Sequence, residues 1–180
     1  MKKFIFTILA TILLLTSCKN DKKENNSGEN KKEVVLQTPF TVTVNAIVKK
    51  DDVFQVYYNE DGKDTFAAEQ AVTIATTGKE EAQDIVFTFP EAASPTSLRF
   101  DLGANKDQQS IKIISFKINY LDKAFEIAGI YFPKYFTPNP QIEFDSPTST
   151  AKIIIDPKVM YDPIFLPTLE LKKEIVKLYK

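Results

Sequence analysis

FTVTVNAIVKKDDVFQVYY, residues 40–58, holds the pattern that decides the fold. From Phe40 the apolar side chains fall at every second position, through Val42 and Val44. A period of two is the mark of a strand with one buried face. Lys49-Lys50-Asp51-Asp52 interrupts the run as a polar turn, and Val53-Phe54-Gln55-Val56-Tyr57-Tyr58 resumes it. In the second run Phe54, Val56 and Tyr58 share one face, and Gln55 and Tyr57 share the other.

Further runs follow downstream. Ala71–Ala75, Ile85–Phe89, Leu98–Leu102 and Ile111–Ile118 are short and rich in β-branched and aromatic residues. Asn59-Glu60-Asp61-Gly62, Thr77-Gly78, Pro90 with Pro95, and Gly103-Ala104-Asn105 separate them as turn signals. Gln141–Phe144 and Lys152–Ile155 continue the series, and Tyr161–Pro167 reads as an edge strand broken by prolines. Thr168-Leu169-Glu170-Leu171-Lys172 alternates, which favours a strand for 169–179, although Leu171, Ile175 and Leu178 would share a helical face. A short helix fits Leu121 to Gly129. Many short strands at even spacing predict an all-β fold, an antiparallel β-sandwich of jelly-roll type, in one domain from 34 to 180.

The first 33 residues have a different character. Met1-Lys2-Lys3 is a positive start, and Phe4 to Leu15 is an uncharged run, apolar but for Thr7 and Thr11. Twelve such residues suit a secretory signal, whereas a permanent bilayer span needs about 20. Leu15-Thr16-Ser17-Cys18 resembles the bacterial lipobox, in which a diacylglycerol is placed on the Cys before cleavage ahead of it. The resemblance implies a signal peptide over 1–17 and a lipid on Cys18. Lys19 to Glu33, KNDKKENNSGENKKE, has no apolar residue, and predicts a disordered, flexible tether over 18–33 between lipid and domain. Lys19 directly after the Cys, where inner-membrane retention wants Asp, implies an outer-membrane lipoprotein. Which side of that membrane it faces stays open, because Lys22 and Lys23 dilute the acids that surface export prefers.

Phe54 through Ile118 carries a second resemblance. FQVYYN, a Gly-containing turn, Phe66, Glu69, IVFTFP, LRFDLG and IKIISFKI follow one another in that order. This resembles a jelly-roll accessory domain of bacterial membrane glycosyltransferases, also found in small lipoproteins of the Bacteroidota type. Asn59 stands where that family usually has Asp, and Leu102 where it usually has Pro. The fold of the family is similar to carbohydrate-binding modules, so the resemblance implies a sandwich that binds glycan.

Composition prunes the chemistry. The chain has no His, which removes Ser-His-Asp and Cys-His nucleophiles and most zinc sites. Its one Cys allows no intramolecular disulfide. A net charge of −1 with a single arginine, Arg99, is no footprint for nucleic acid. No cofactor is expected beyond the acyl lipid on Cys18.

Three groups of residues are candidates for function. Gln55, Tyr57, Arg99 and Asp101 would form a sugar-binding set if their strands are neighbours: a ring to stack on a pyranose face, with an amide and charged groups for its hydroxyls. The competing reading makes Arg99–Asp101 an ordinary surface pair, worth about 0–1 kcal/mol. Gly129 to Pro138 has four rings and two prolines, and is either a plug over one end of the sandwich or an exposed contact. Tyr131 and Tyr135 are its candidate contacts, one ring of each Tyr-Phe pair facing solvent. Asn59, Asp61 and Asp64 could ligate Ca²⁺, but Tyr57 stands where a calcium loop has its first acid, so a plain hairpin loop is the better fit. The expectation is a non-catalytic, membrane-tethered sandwich binding carbohydrate or a cell-envelope glycan. The alternatives are a structural lipoprotein docking another envelope protein through the 129–138 loop, and a small glycan hydrolase built on a carboxylate pair.

Overall fold

A computed structural model describes residues 39–180. The expected signal peptide over 1–17 and the expected lipid-bearing Cys18 with its tether over 18–33 lie outside the described residues. The strands are β1 (Thr41–Val48), β2 (Asp52–Asn59), β3 (Ala71–Thr76), β4 (Gln83–Thr88), β5 (Ser97–Asp101), β6 (Ser110–Tyr120), β7 (Lys123–Ala128), β8 (Phe136–Pro138), β9 (Ile142–Asp145), β10 (Thr150–Ile153) and β11 (Ile164–Pro167). Among the described residues there are two α-helices, α1 (Phe132–Tyr135) and α2 (Leu169–Lys177), and a 3-10 turn at Gly129–Tyr131 ahead of α1. They build two antiparallel sheets packed face to face. One has the order β4-β1-β6-β10-β9, with β7 paired to the end of β6, and the other has the order β3-β2-β5-β11-β8.

The alternation in residues 40–58 becomes the core. Phe40, Val42, Val44, Ala46 and Val48 of one sheet point inward, as do Phe54, Val56 and Tyr58 of the other. In place of Trp the interior uses phenylalanine. Phe132 lies 4.5 Å from Phe136 and 4.9 Å from Phe165, and Phe116 lies 5.0 Å from Phe136. Most of these pairs meet edge to face, which suits the charge distribution of the rings.

Three elements differ from the expectation. Residues 169–177 form a helix, not a strand. Thr168 caps it, its Oγ1 accepting from the Leu171 amide at 3.4 Å, and Leu171, Ile175 and Leu178 are buried in one stripe. Lys123–Ala128 is a strand, not a helix: Leu121 turns the chain at φ 54° and β7 folds back along β6. β11 is an interior strand between β5 and β8, not an edge. Pro163 precedes it and Pro167 is its last residue, so each missing N–H falls where it interrupts the ladder least.

The aromatic stretch 129–138 is mainly a plug. Phe132 and Phe136 are fully buried. The stretch can seat so closely because Gly129 lies on β6: a Cβ there would stand 1.9 Å from the Ile113 carbonyl oxygen.

Candidate functional site

β2 and β5 are antiparallel neighbours with Gln55 opposite Asp101 and Tyr57 opposite Arg99. Phe54, Val56, Leu98 and Phe100 take the inner face, so Gln55, Tyr57, Arg99 and Asp101 take the outer one together. They are joined by contacts. The Arg99 Nε and Nη2 donate to the two Asp101 carboxylate oxygens at 2.7 and 2.6 Å. The guanidinium carbon lies 4.6 Å from the centre of the Tyr57 ring. The Tyr57 hydroxyl reaches Gln55 Oε1 at 3.5 Å, and Gln55 Nε2 donates to Thr73 Oγ1 at 3.0 Å.

Arg99–Asp101 is more than an exposed surface pair. The side chains keep only 21% and 12% of their surface in water. Burial pushes the Asp101 carboxyl above its ordinary range, against the pull of Arg99, and the negative charge of Asp162 adds to the rise. Burial also opposes the Arg99 charge, but the hydrogen bonds and charge of Asp101, with Asp162 and Tyr57, outweigh it and raise that group. The carboxylate carries the larger desolvation penalty because it is the more deeply buried partner.

Beside this face runs a cleft of about 420 Å³, lined among others by Gln55, Asp101, Lys106, Met160, Tyr161 and Asp162. Asp162 Oδ1 lies 3.5 Å from Arg99 Nη2 and so extends the charged line into the cleft. The Tyr161 hydroxyl donates to the Asn105 carbonyl at 3.3 Å, and Lys106 Nζ lies 5.8 Å over its ring. The alternation argument missed these residues, because 161–163 reads as the start of a strand. A Tyr-Asp pair ahead of a proline is their only sequence signal.

Asp52 supports the cleft from beneath. It is buried, and its Oδ1 accepts from the amides of Val53, Ala104 and Asn105 at 2.7–2.8 Å. Gly103 takes φ +90° there, and a Cβ on it would come within 2.3 Å of Asp52 Oδ2. That second oxygen has no hydrogen-bond partner among the described residues. Asp52 thus sets the 103–105 loop, and the loop holds Tyr161.

The other candidates do not join this group. Tyr131 is exposed, beside a separate cleft with Glu126 and Lys134. Tyr135, expected at the surface, is buried with its ring 5.1 Å from Phe125, because it closes the plug over β7. The calcium trio is taken up in other contacts: Asn59 and Asp61 fold their own loop, and Asp64 ties it to α2. Asn59 is buried, donates through Nδ2 to the Lys63 and Thr65 carbonyls, and accepts from the Gly62 amide. A carboxylate could not make the two donations, which accounts for Asn at this position. Asp61 pairs with Lys63 at 2.8 Å and Asp64 with Lys172 at 2.6 Å. Among the described residues no three His, Cys, Asp or Glu side chains gather as metal ligands, and no helix is long and apolar enough to cross a membrane.

No family model, no curated protein and no solved structure matches this chain.

Proposed function

We propose that the protein is a membrane-anchored lipoprotein of the outer membrane whose sandwich binds carbohydrate or a cell-envelope glycan without catalysis. One observation carries the reading: Tyr57, Gln55, Arg99 and Asp101 share one outward face, and Gln55 and Asp101 of that face line the cleft with Tyr161 and Asp162. A sugar presents hydroxyls that both donate and accept, over an apolar ring face. A guanidinium–carboxylate fork with a neighbouring amide supplies fixed donors and acceptors, and Tyr57 and Tyr161 supply the rings. The cleft volume falls in the range of small-ligand sites. The resemblance to a glycosyltransferase accessory domain and the lipobox at Cys18 point the same way. Both Asp101 oxygens are engaged by Arg99, which favours binding over proton transfer.

A glycan array followed by calorimetry tests this. Tyr57→Ala is expected to weaken binding of any glycan found by about 1–3 kcal/mol, the scale of losing a stacked aromatic in other grooves. Unchanged affinity removes Tyr57 from the site, and an array without a hit sinks the sugar reading. Loss of membrane association in Cys18→Ser tests the anchor.

The second reading, docking of an envelope protein, is favoured by a specific feature beside the cleft. Ile154, Ile155, Val159 and Met160 are exposed in one segment, Met160 at 87%. Crosslinking from that segment, or from Tyr131 in the 129–138 loop, to a single envelope protein supports it.

A further inference from the structure

Asp162 stands in the cleft on a fixed stem. The Asp162 amide donates to Gln141 Oε1 at 2.8 Å, and Asn139 Nδ2 donates to the Asp162 carbonyl at 2.6 Å. Gln141 Nε2 donates to the Met160 carbonyl at 2.6 Å, so the segment is tied on both sides of Tyr161. The carboxylate itself is committed to much less. It keeps 52% of its side-chain surface in water while lining the cleft. Its Oδ1 makes one long contact, 3.5 Å to Arg99 Nη2, and its Oδ2 has no polar partner among the described residues.

The other charges of the cleft are arranged differently. Asp101 gives both oxygens to Arg99. Asp52 lies beneath, buried, with one oxygen held by three amides. Lys106 is the one cation lining the cleft, and its Nζ lies 5.8 Å over the Tyr161 ring. Three carboxylates, Asp52, Asp101 and Asp162, thus stand against two cations, Arg99 and Lys106, and one negative charge is in excess. The neighbours already feel that excess. Burial is the first cause that raises the Asp101 carboxyl and the Tyr161 phenol, but the charge of Asp162 adds to the first rise and that of Asp52 to the second. An acidic group entering the cleft meets the same field, in a place partly withdrawn from water, where repulsion is several times stronger than in bulk solvent. A sugar hydroxyl meets instead an acceptor to which it can donate, at Asp162 Oδ2.

We propose that Asp162 makes the cleft select sugar units without a negative charge and reject acidic ones such as uronic acids. The inference rests on the carbohydrate reading and names the class of glycan the site takes. Asp162 decides it because Arg99 neutralises Asp101 across a two-bond fork and Asp52 is covered, whereas the Asp162 carboxylate faces whatever enters.

Pairs of oligosaccharides that end either in a hexose or in the uronic acid with the same ring are compared on the full chain by calorimetry. The members of a pair differ only in a hydroxymethyl or a carboxylate at C6. The hexose form is expected to bind at least tenfold more tightly at about 0.01 M salt, and the gap narrows at about 1 M, where the Debye length falls to about 3 Å. Asp162→Asn keeps the size of the side chain and the backbone bonds of the segment, and is expected to shrink the gap to about threefold or less. Asp162→Lys reverses it. Glu126→Gln, an equal charge change on β7 of the other sheet, leaves it unchanged. A wild-type chain that binds both forms equally or prefers the uronic acid, or a gap that survives in Asp162→Asn, overturns the inference and leaves the carbohydrate reading standing. Failure of every glycan of either form to bind sinks that reading, and this one with it. The field can also be measured without ligand. The Asp101 carboxyl, followed by carbon NMR, should titrate lower in Asp162→Asn than in the wild type, and an unchanged titration overturns the inference too.

Discussion

At the scale of single residues, Asp52 and Gly103 matter most. A buried carboxylate is costly unless its lone pairs are met, and here three backbone amides meet one oxygen while the other stays unpaired. Asp52→Ala leaves those amides without an acceptor and is expected to cost about 2–4 kcal/mol in urea unfolding. Gly103→Ala is destabilising for two reasons, the positive φ and the collision with Asp52. The collision disappears in Asp52→Ala, so the two substitutions should be less than additive in a double-mutant cycle. Full additivity would mean that backbone strain alone explains Gly103. The outward placement of Gln55 and Tyr57 could be read from alternation. The role of Asp52 could not: in sequence it belongs to a polar turn, and only the fold brings the 103–105 loop to it.

At the scale of elements, α2 shows how a short segment is decided by its surroundings. Thr168 to Lys172 alternates like a strand, but nine residues with one apolar stripe fold against α1, β5 and β11 as a helix. A helix of this length is marginal alone, so it depends on packing. Ile175→Ala should cost about 2–5 kcal/mol and Thr168→Ala about 1 kcal/mol by chemical denaturation. A synthetic peptide of residues 168–180 should show little helix in water. Strong helicity in that peptide would show that local propensity, not the sandwich, sets the element. The prolines around β11 mislead for a related reason. They argue for an edge only when they fall inside a strand, and the bounds of a four-residue strand are set by its partners.

At the scale of the whole molecule, the sandwich stores a sensitivity to alkali. Burial, with the nearby charge of Asp52, pushes the Tyr161 phenol up to about 12 from its ordinary 10. Tyr179 is raised further still, by burial first and then by Tyr120 and Glu60. A group whose folded value is raised keeps its full stabilising effect below the unfolded value, and loses it as pH climbs toward the folded one. Stability should therefore fall from about pH 10 to about pH 12. Tyr161→Phe should flatten that fall, and phenolate absorbance should show late-titrating tyrosines. An unchanged slope in Tyr161→Phe would assign the loss to other groups. The same molecule is polarised in space, with α2 at one end of the β2–β5 pair and the cleft at the other, because antiparallel register fixes which residues share an end.

The sequence by itself determined the main strands of the core and the inward and outward faces of β2. Those depend on local alternation and on contiguous composition, which are one-dimensional signals. The tertiary structure decided that Arg99 and Asp101 adjoin Asp162, that Asp101 shares a cleft with Tyr161, that Tyr135 is buried while Tyr131 is exposed, and that 169–177 is a helix. Those depend on strand order and register between segments tens of residues apart, where the stabilising contacts exist only after the chain has closed on itself.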